Sequence, residues 1–324
     1  MAAPMIPPDA ARLFLAGLGW GDAALAPLAG DASFRRYFRV TAPGRRAVLM
    51  DAPPPHEDPR PFLAVAAHLE AAGFAPPAIL GRDLERGLVL LEDFGDARMR
   101  ETVDADAGAE QSLYPRAVDL LLDLRRHPPA LHLRPYDKAE YQREAGLFTE
   151  WYMPALGLAV DEAGYRAAWE AVLEPLAEVR EVTVLRDYHE ENIMLPADGR
   201  LGLLDFQEAL AGHPAYDLVS LLQDARRDVA PALEAAMLAR YRASAPLDEA
   251  AYAVLGAQRN AKILGIFTRL WKRDGKPRYL AFQPRVWAYL ERDLAHPALA
   301  PVSKWFDANV PAQQRAAAWA NFSE

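Results

Sequence analysis

The sequence predicts an α+β protein of two lobes: a small β-rich lobe over residues 1–95, ending in a hinge, and a larger, mainly helical lobe over residues 96–324. Two observations carry this. Strand-like runs such as "RYFRV" and "RAVLMDA" fall within the first hundred residues, and after "GDARMRETVDADAG" the apolar spacing turns helical. The 324 residues are 52% hydrophobic and 25% charged, enough for a sizeable core divided between two lobes.

The elements follow in order. Pro8 and Asp9 open a helix in "PPDAARLFLAGLGW", and Gly17 or Gly19 stops it. The loop "AGDAS" leads into "RYFRV", which the turn "TAPGR" joins to "RAVLMDA". In "EDPRPFLAVAAHLEAAGF" Asp58 caps a helix, Pro59 suits its first position, and Phe62, Val65, Ala66 and Leu69 share a face. "RGLVLLEDFGD" is a strand that ends in a polar hinge. "QSLYPRAVDLLLDLRRH" and "AGYRAAWEAVLEPLAEV" are amphipathic helices. Two short apolar runs, "VTVL" and "LGLLDF", form a hairpin-like pair whose ends present polar residues, and helices resume at "AYDLVSLLQDARRD".

Composition excludes several function classes. A formal net charge of -9 argues against nucleic acid as partner, and the absence of cysteine removes disulfide and thiolate chemistry. The N-terminal stretch lacks the basic region of a signal peptide, and no run reaches the roughly 18 apolar residues of a membrane span. The expectation is a cytoplasmic protein with no membrane partner; no protein partner is inferable.

The chemistry is concentrated in "LRDYHEEN", residues 185 to 192. Asp187 and Asn192 have the D-x-x-x-x-N spacing of a kinase catalytic loop, and Asp205 closes the apolar run "LLDF". Phosphoryl transfer needs these residue types. A carboxylate, Asp187, takes the acceptor hydroxyl's proton or orients the hydroxyl. An amide oxygen and a second carboxylate, Asn192 and Asp205, ligate the Mg²⁺ that neutralises phosphate oxygens. His189 reads as a structural hydrogen-bonder, and no histidine spacing suggests zinc.

"LRDYHEEN…LGLLDFQEALAGHPAYDLVSLL" resembles the aminoglycoside phosphotransferase superfamily of kinase-like enzymes. "LAGDASFRRYFRV", "VLMDAPP", "FLAVAAHLEAAGF", "LVLLEDFGD" and "QRNAKILGIFTRLWKRDGKPRYL" are most similar to its anomeric N-acetylmuramate/N-acetylglucosamine kinases of cell-wall recycling. The resemblance implies a bilobal protein-kinase-like fold, ATP and Mg²⁺ as cofactors, and an amino sugar as substrate. It gives Gly30 and Ser33 a phosphate-cradling role, although either can belong to an ordinary turn. It brings the backbone of Glu92, Asp93 and Phe94 to the adenine edge. It has Asp217 brace the catalytic loop, where the residue can also cap the helix that follows.

The chain departs from the pattern twice. Leu185 stands where kinase-like loops carry a histidine, and Met50 stands where the phosphate-pairing lysine is expected. Arg35 and Arg36 are the candidate replacement cations. Between residues 259 and 292 cations far outnumber acids, which favours a neutral or anionic sugar over a polycationic aminoglycoside. Arg259, Asn260 and Lys262 are the candidate substrate residues there. The other readings are a different small-molecule kinase of this fold, of aminoglycoside or choline type, and a nucleotide-binding pseudokinase.

Overall fold

The structure, a computed structural model, describes residues 5–28 and 35–315. In chain order it runs α1 (Ala10–Gly17), β1 (Ala24–Pro27), β2 (Arg36–Ala42), β3 (Arg45–Asp51), α2 (Arg60–Ala71), β4 (Ile79–Asp83), β5 (Leu88–Glu92) and α3 (Met99–Ala105). Then come α4 (Glu110–Leu124), α5 (Lys138–Ala145), a π-helical turn at Phe148–Tyr152 that runs into the short α6 (Met153–Ala155), and α7 (Glu162–Ala177). The short strands β6 (Val182–Val184), β7 (Ile193–Met194), β8 (Gly202–Leu203) and β9 (Leu210–Gly212) precede α8 (Ala215–Leu222), α9 (Pro231–Ser244), α10 (Glu249–Lys272), α11 (Gln283–Leu294) and α12 (Ala300–Asn309). Residues 1–107 and 191–208 make one compact unit, and residues 108–190 and 209–324 make another. These units differ from a division at residue 95, because α3 and the segment 191–208 pack with the first.

In the first unit the strands lie in the order β1-β2-β3-β5-β4, all antiparallel. Side chains alternate along a strand, so Phe38 and Val40 of β2, Ala47 and Leu49 of β3, and Leu88 and Leu90 of β5 share one face. That face forms a core with Ala11, Leu15 and Trp20 of the N-terminal helix and its exit. Gly19, at φ 77, ends the helix as one of the two expected glycines. α2 starts at Arg60 with Pro59 at its N-cap, one residue later than expected, and Asp58 accepts from the backbone of Arg60 at 3.0 Å just ahead of it. β4 was not expected. Its residues are exposed or half-buried and show no apolar alternation, so pairing with β5 alone makes it a strand. Gly87, at φ 70, closes the turn between them, and a Cβ there would lie 1.9 Å from the Ala52 carbonyl oxygen.

The expected pairing of "VTVL" with "LGLLDF" is corrected by the register. β7 pairs with β8 across "PADGR", while β6 pairs with β9. The β7–β8 hairpin belongs to the first unit through backbone contacts. Leu203 N–H donates to Ala75 O at 2.9 Å and Leu195 N–H to Ala97 O at 2.8 Å. Phe206 stacks on Phe62 of α2, ring centroids 5.0 Å apart.

The second unit is helical, and α10 is its spine. The helix is buried over most of its 24 residues, starts on an Asp248 cap, and packs on α5, α8, α11 and the π-helical turn. Phe148 and Tyr152, from the π turn, stack at 4.8 Å and meet Trp287 and Phe306. Close approach is built in at Gly265, where a Cβ would sit 2.3 Å from the backbone carbonyl of Leu147. Backbone cannot move aside as a side-chain tip can. Gly265→Ala is therefore expected to destabilise the second unit by about 2–3 kcal/mol, beyond any gain in helix propensity. A thermal midpoint equal to or above that of the parent chain would show that the contact relaxes at no cost.

Candidate active site

The segment after β6 is held from behind. Asp217, the third residue of α8, takes Leu185 N–H on Oδ2 at 2.6 Å and Arg186 N–H on Oδ1 at 2.9 Å. The residue braces the loop; it is not the N-cap of its own helix. Arg186 has φ 73, a left-handed conformation that costs a non-glycine residue about 1–2 kcal/mol. Two hydrogen bonds to a carboxylate, each worth about 1.5–3 kcal/mol, outweigh that. Burial pushes Asp217 up to about 7, against the pull of the two amides. Leu185 is buried and contributes its backbone N–H to this contact.

Arg186 is anchored at its far end too. Its guanidinium meets the carboxylate of Glu144, which is 1% exposed, and faces the ring of Tyr136 at 5.8 Å. Glu144 also takes Lys262 Nζ at 2.8 Å and the Tyr136 hydroxyl. Burial alone would raise the Glu144 carboxyl, but Lys262 and Arg186 hold it at about 2. Tyr188 donates to Ala117 O at 2.8 Å, and Glu190 is buried against the Tyr114 hydroxyl with Arg227 at 3.4 Å. Among these buried residues Asp187 is half-buried, as is Glu191.

Asn192 and Asp205 both belong to the first unit. They flank the β7–β8 hairpin, and Leu204 N–H donates to Asn192 O at 2.9 Å, extending the ladder to the point where both side chains begin. The hairpin thus brings the two residues to one end. Asp205 is exposed, has φ 59, and receives Gln207 Nε2 on Oδ1 at 2.6 Å. A non-glycine residue held in this region marks a position that the surroundings over-determine. The donors offered are an amide oxygen and a carboxylate, hard ligands that suit Mg²⁺ completed by water and phosphate. Among the described residues no group of three or more His, Asp or Glu side chains could hold a metal by itself.

The other expected residues fall as follows. Gly30 and Ser33 lie outside the described residues. Arg36 donates from Nε to Asp51 at 2.8 Å and from Nη1 to Ile6 O at 3.2 Å. Arg35, 9% exposed, donates from Nε to Glu57 at 3.0 Å. Met50 is fully buried. Glu92 accepts from Ala78 N–H at 3.1 Å and pairs with Arg200, whose guanidinium also lies over the Phe94 ring at 5.3 Å. Asp93 is gripped by Arg39 at 2.8 Å and accepts from Gly95 N–H, which fixes the turn after β5.

In the second unit Arg259 donates to Gln223 O at 3.2 Å. Asn260 donates to Gln223 Oε1 at 2.8 Å and to Asp293 at 3.2 Å. Lys262 sits on Glu144, as above. Part of the basic segment is thus neutralised internally: Arg285 pairs with Asp228, Arg292 with Glu234 and Arg273 with Asp274. Glu57 and Glu144, which hold candidate residues in place, were not singled out from the sequence. Neither has a diagnostic spacing; a buried glutamate looks like a surface one until its partners are known.

The sequence profile of a phosphotransferase enzyme family matches residues 24–255. A protein of Caulobacter vibrioides named N-acetylmuramate/N-acetylglucosamine kinase is 39% identical over 351 aligned positions, which cover 93% of this chain and 96% of that protein. A protein of the same name from Pseudomonas aeruginosa is 40% identical over 313 positions, covering 90% and 91%. Among solved structures, a choline/ethanolamine kinase family protein from Mesorhizobium loti matches with a TM-score of 0.61 at 16% identity, over 91% of this chain and 99% of that one. At that identity the match speaks to the fold, which is the α+β kinase-like one expected. Among the described residues no helix is long and apolar enough to cross a membrane.

His189 gives a test of the loop's interior. It is buried, with Nε2 3.3 Å from Arg226 Nη1. Burial pulls it down from 6.5 to about 4; Arg226 and Arg259 act in the same direction, Asp224 and Asp187 against it. The fold thus keeps this ring neutral while the unfolded chain protonates it below about pH 6.5. The associated stability is complete above that pH and is lost as pH falls through 4, a change of about 3 kcal/mol. His189→Gln should lose correspondingly less stability than the parent between neutral pH and about pH 4.5, measured by urea unfolding. Equal losses in the two chains would mean that the ring takes up its proton inside the fold.

Proposed function

The chain belongs to the phosphotransferase enzyme family, and from that premise we propose that it transfers the terminal phosphoryl group of ATP to the anomeric hydroxyl of N-acetylmuramate or N-acetylglucosamine, as cell-wall sugar recycling requires. The observation that carries the acceptor is the 39% and 40% identity, over nine-tenths or more of the chain, to proteins named for kinase activity on these two sugars. The fold alone serves choline and aminoglycoside kinases as well, so it does not choose between acceptors. The reaction belongs in the cytoplasm, where ATP is available.

In this reading Asp187 accepts the hydroxyl proton, or orients the hydroxyl for in-line attack. Its geometry is set through the backbone: Asp217 fixes the two preceding amides, and Glu144 ties down the intervening Arg186 side chain. A rigid base costs no reorganisation when the reaction occurs. Asn192 and Asp205 would hold Mg²⁺, which supplies charge neutralisation on the phosphate oxygens. Retention of Asp187, Asn192 and Asp205 together argues for catalysis rather than for nucleotide binding alone.

The test is ATP turnover with a panel of N-acetylmuramate, N-acetylglucosamine, choline and an aminoglycoside. Phosphorylation of the two sugars is expected; turnover with choline or the aminoglycoside alone would overturn the acceptor assignment. Asp187→Asn should keep the fold and nucleotide binding while kcat falls about 10²–10⁴-fold. Near-normal turnover in that variant would remove Asp187 from the mechanism. Asn192→Ala and Asp205→Ala should raise the Mg²⁺ concentration needed for half-maximal rate, and an unchanged requirement in both would relocate the metal.

A further inference from the structure

Kinase-like folds hold the donor phosphates with a lysine that a glutamate positions. Here Met50 stands at the lysine position and carries no charge. Sheet register shows what surrounds it. Met50 pairs directly across β2–β3 with Tyr37, and Asp51 pairs with Arg36. Residues two apart on an extended segment share a face. Tyr37 and Met50 therefore lie on one face of the sheet, with Arg35 entering β2 one residue before its start, while Arg36 and Asp51 lie on the other face with Phe38 and Leu49.

The contacts follow this division. Arg36 is held by Asp51 and by the carbonyl of Ile6, on the side where the N-terminal helix packs. Arg35 donates from Nε to Glu57 at 3.0 Å and lies close enough to the Tyr37 hydroxyl to act on it electrostatically. Asp205 is close enough to Tyr37 to act on it electrostatically, and all of these residues belong to the first unit. A cation thus stands beside the position that the lysine has vacated, near the carboxylate assigned to the metal, with a glutamate already on it.

We propose that Arg35 is the phosphate-binding cation and that Glu57 and Tyr37 are its positioning residues, so that an arginine–glutamate pair from neighbouring segments replaces the lysine–glutamate pair. A guanidinium carries five donors in one plane. One that is held by a carboxylate along its Nε edge can present another edge to a phosphate. Burial of an arginine also requires a counter-charge, which Glu57 supplies whether or not nucleotide is bound. Arg36, on the other face, is assigned to the sheet and not to the ligand. The proposal rests on the phosphotransferase reading, but its test needs no acceptor.

The experiment uses the full chain with Mg²⁺ and measures competition of ATP, ADP, AMP and adenosine against a fluorescent nucleotide. Arg35→Ala should weaken ATP about 10- to 100-fold. The loss should shrink as phosphates are removed, leaving adenosine within about twofold of the parent. Arg35→Lys should recover part of it, and Glu57→Gln should weaken ATP by a smaller factor with the same dependence on phosphate number. In steady-state turnover these variants should raise KM for ATP and leave KM for the sugar unchanged. Equal loss for ATP and adenosine would reduce the Arg35–Glu57 pair to a structural ion pair. Normal ATP affinity in both Arg35 variants, or failure of the parent chain to bind ATP, would overturn the assignment. A parent chain that binds ATP but phosphorylates neither sugar overturns the acceptor assignment alone, and the ligand series still decides on Arg35.

Discussion

One buried carboxylate sets the shape of the candidate catalytic loop. By taking two successive amides, Asp217 fixes the direction in which the chain leaves β6, and Arg186 then adopts a conformation that its side chain disfavours. Each hydrogen bond alone would roughly balance the strain; together they exceed it. The direction of Asp187 follows from this. A loop whose backbone is fixed by a neighbouring helix depends less on a local sequence preference of its own.

The charges of the second unit show the same economy. Glu144 collects Arg186, Lys262 and the Tyr136 hydroxyl in a place that water does not reach. A buried pair of this kind contributes little to net stability, since desolvation consumes most of the attraction, yet removal of one partner strands the others at a cost of about 3–5 kcal/mol. Its effect is on geometry: α5, α10 and the loop after β6 are locked to one another through a single carboxylate. In the first unit the Arg35–Glu57 and Arg39–Asp93 pairs likewise tie loops to the sheet. The half-buried, solvent-screened Arg200–Glu92 pair is worth about 1 kcal/mol, and Arg200 matters more for covering Phe94.

Much of this architecture could be read from the residues. The β2–β3 hairpin followed from two alternating runs around "TAPGR", and α2 from Asp58, Pro59 and a face of Phe62, Val65, Ala66 and Leu69. The D-x-x-x-x-N pattern named the candidate site because its members are close in sequence. Features made by distant partners were not legible. β6 lies close in sequence to "LGLLDF" but pairs with Leu210–Gly212, and three-residue strands carry too few side chains for a pattern to choose a partner. β4 exists only because β5 offers an edge. The excess of cations after residue 259 looked like a ligand-facing surface, yet Asp228 and Glu234, more than fifty residues from their arginines, neutralise two of them. Glu57 was invisible for the same reason: its meaning depends on Arg35, 22 residues earlier in the chain.

The β7–β8 hairpin has a consequence for the order of synthesis. Leu203 bonds to Ala75, Leu195 to Ala97, and Phe206 stacks on Phe62, so the first unit is not complete until residue 208 has been made. A chain that emerges at 5–20 residues per second spends roughly 4–17 s on residues 108–190 before the hairpin arrives. During that interval the N-terminal sheet has its own core, but Phe62 lacks its stacking partner and α2 presents an uncovered aromatic ring. The β7–β8 hairpin is the piece whose arrival covers that ring and closes the first unit.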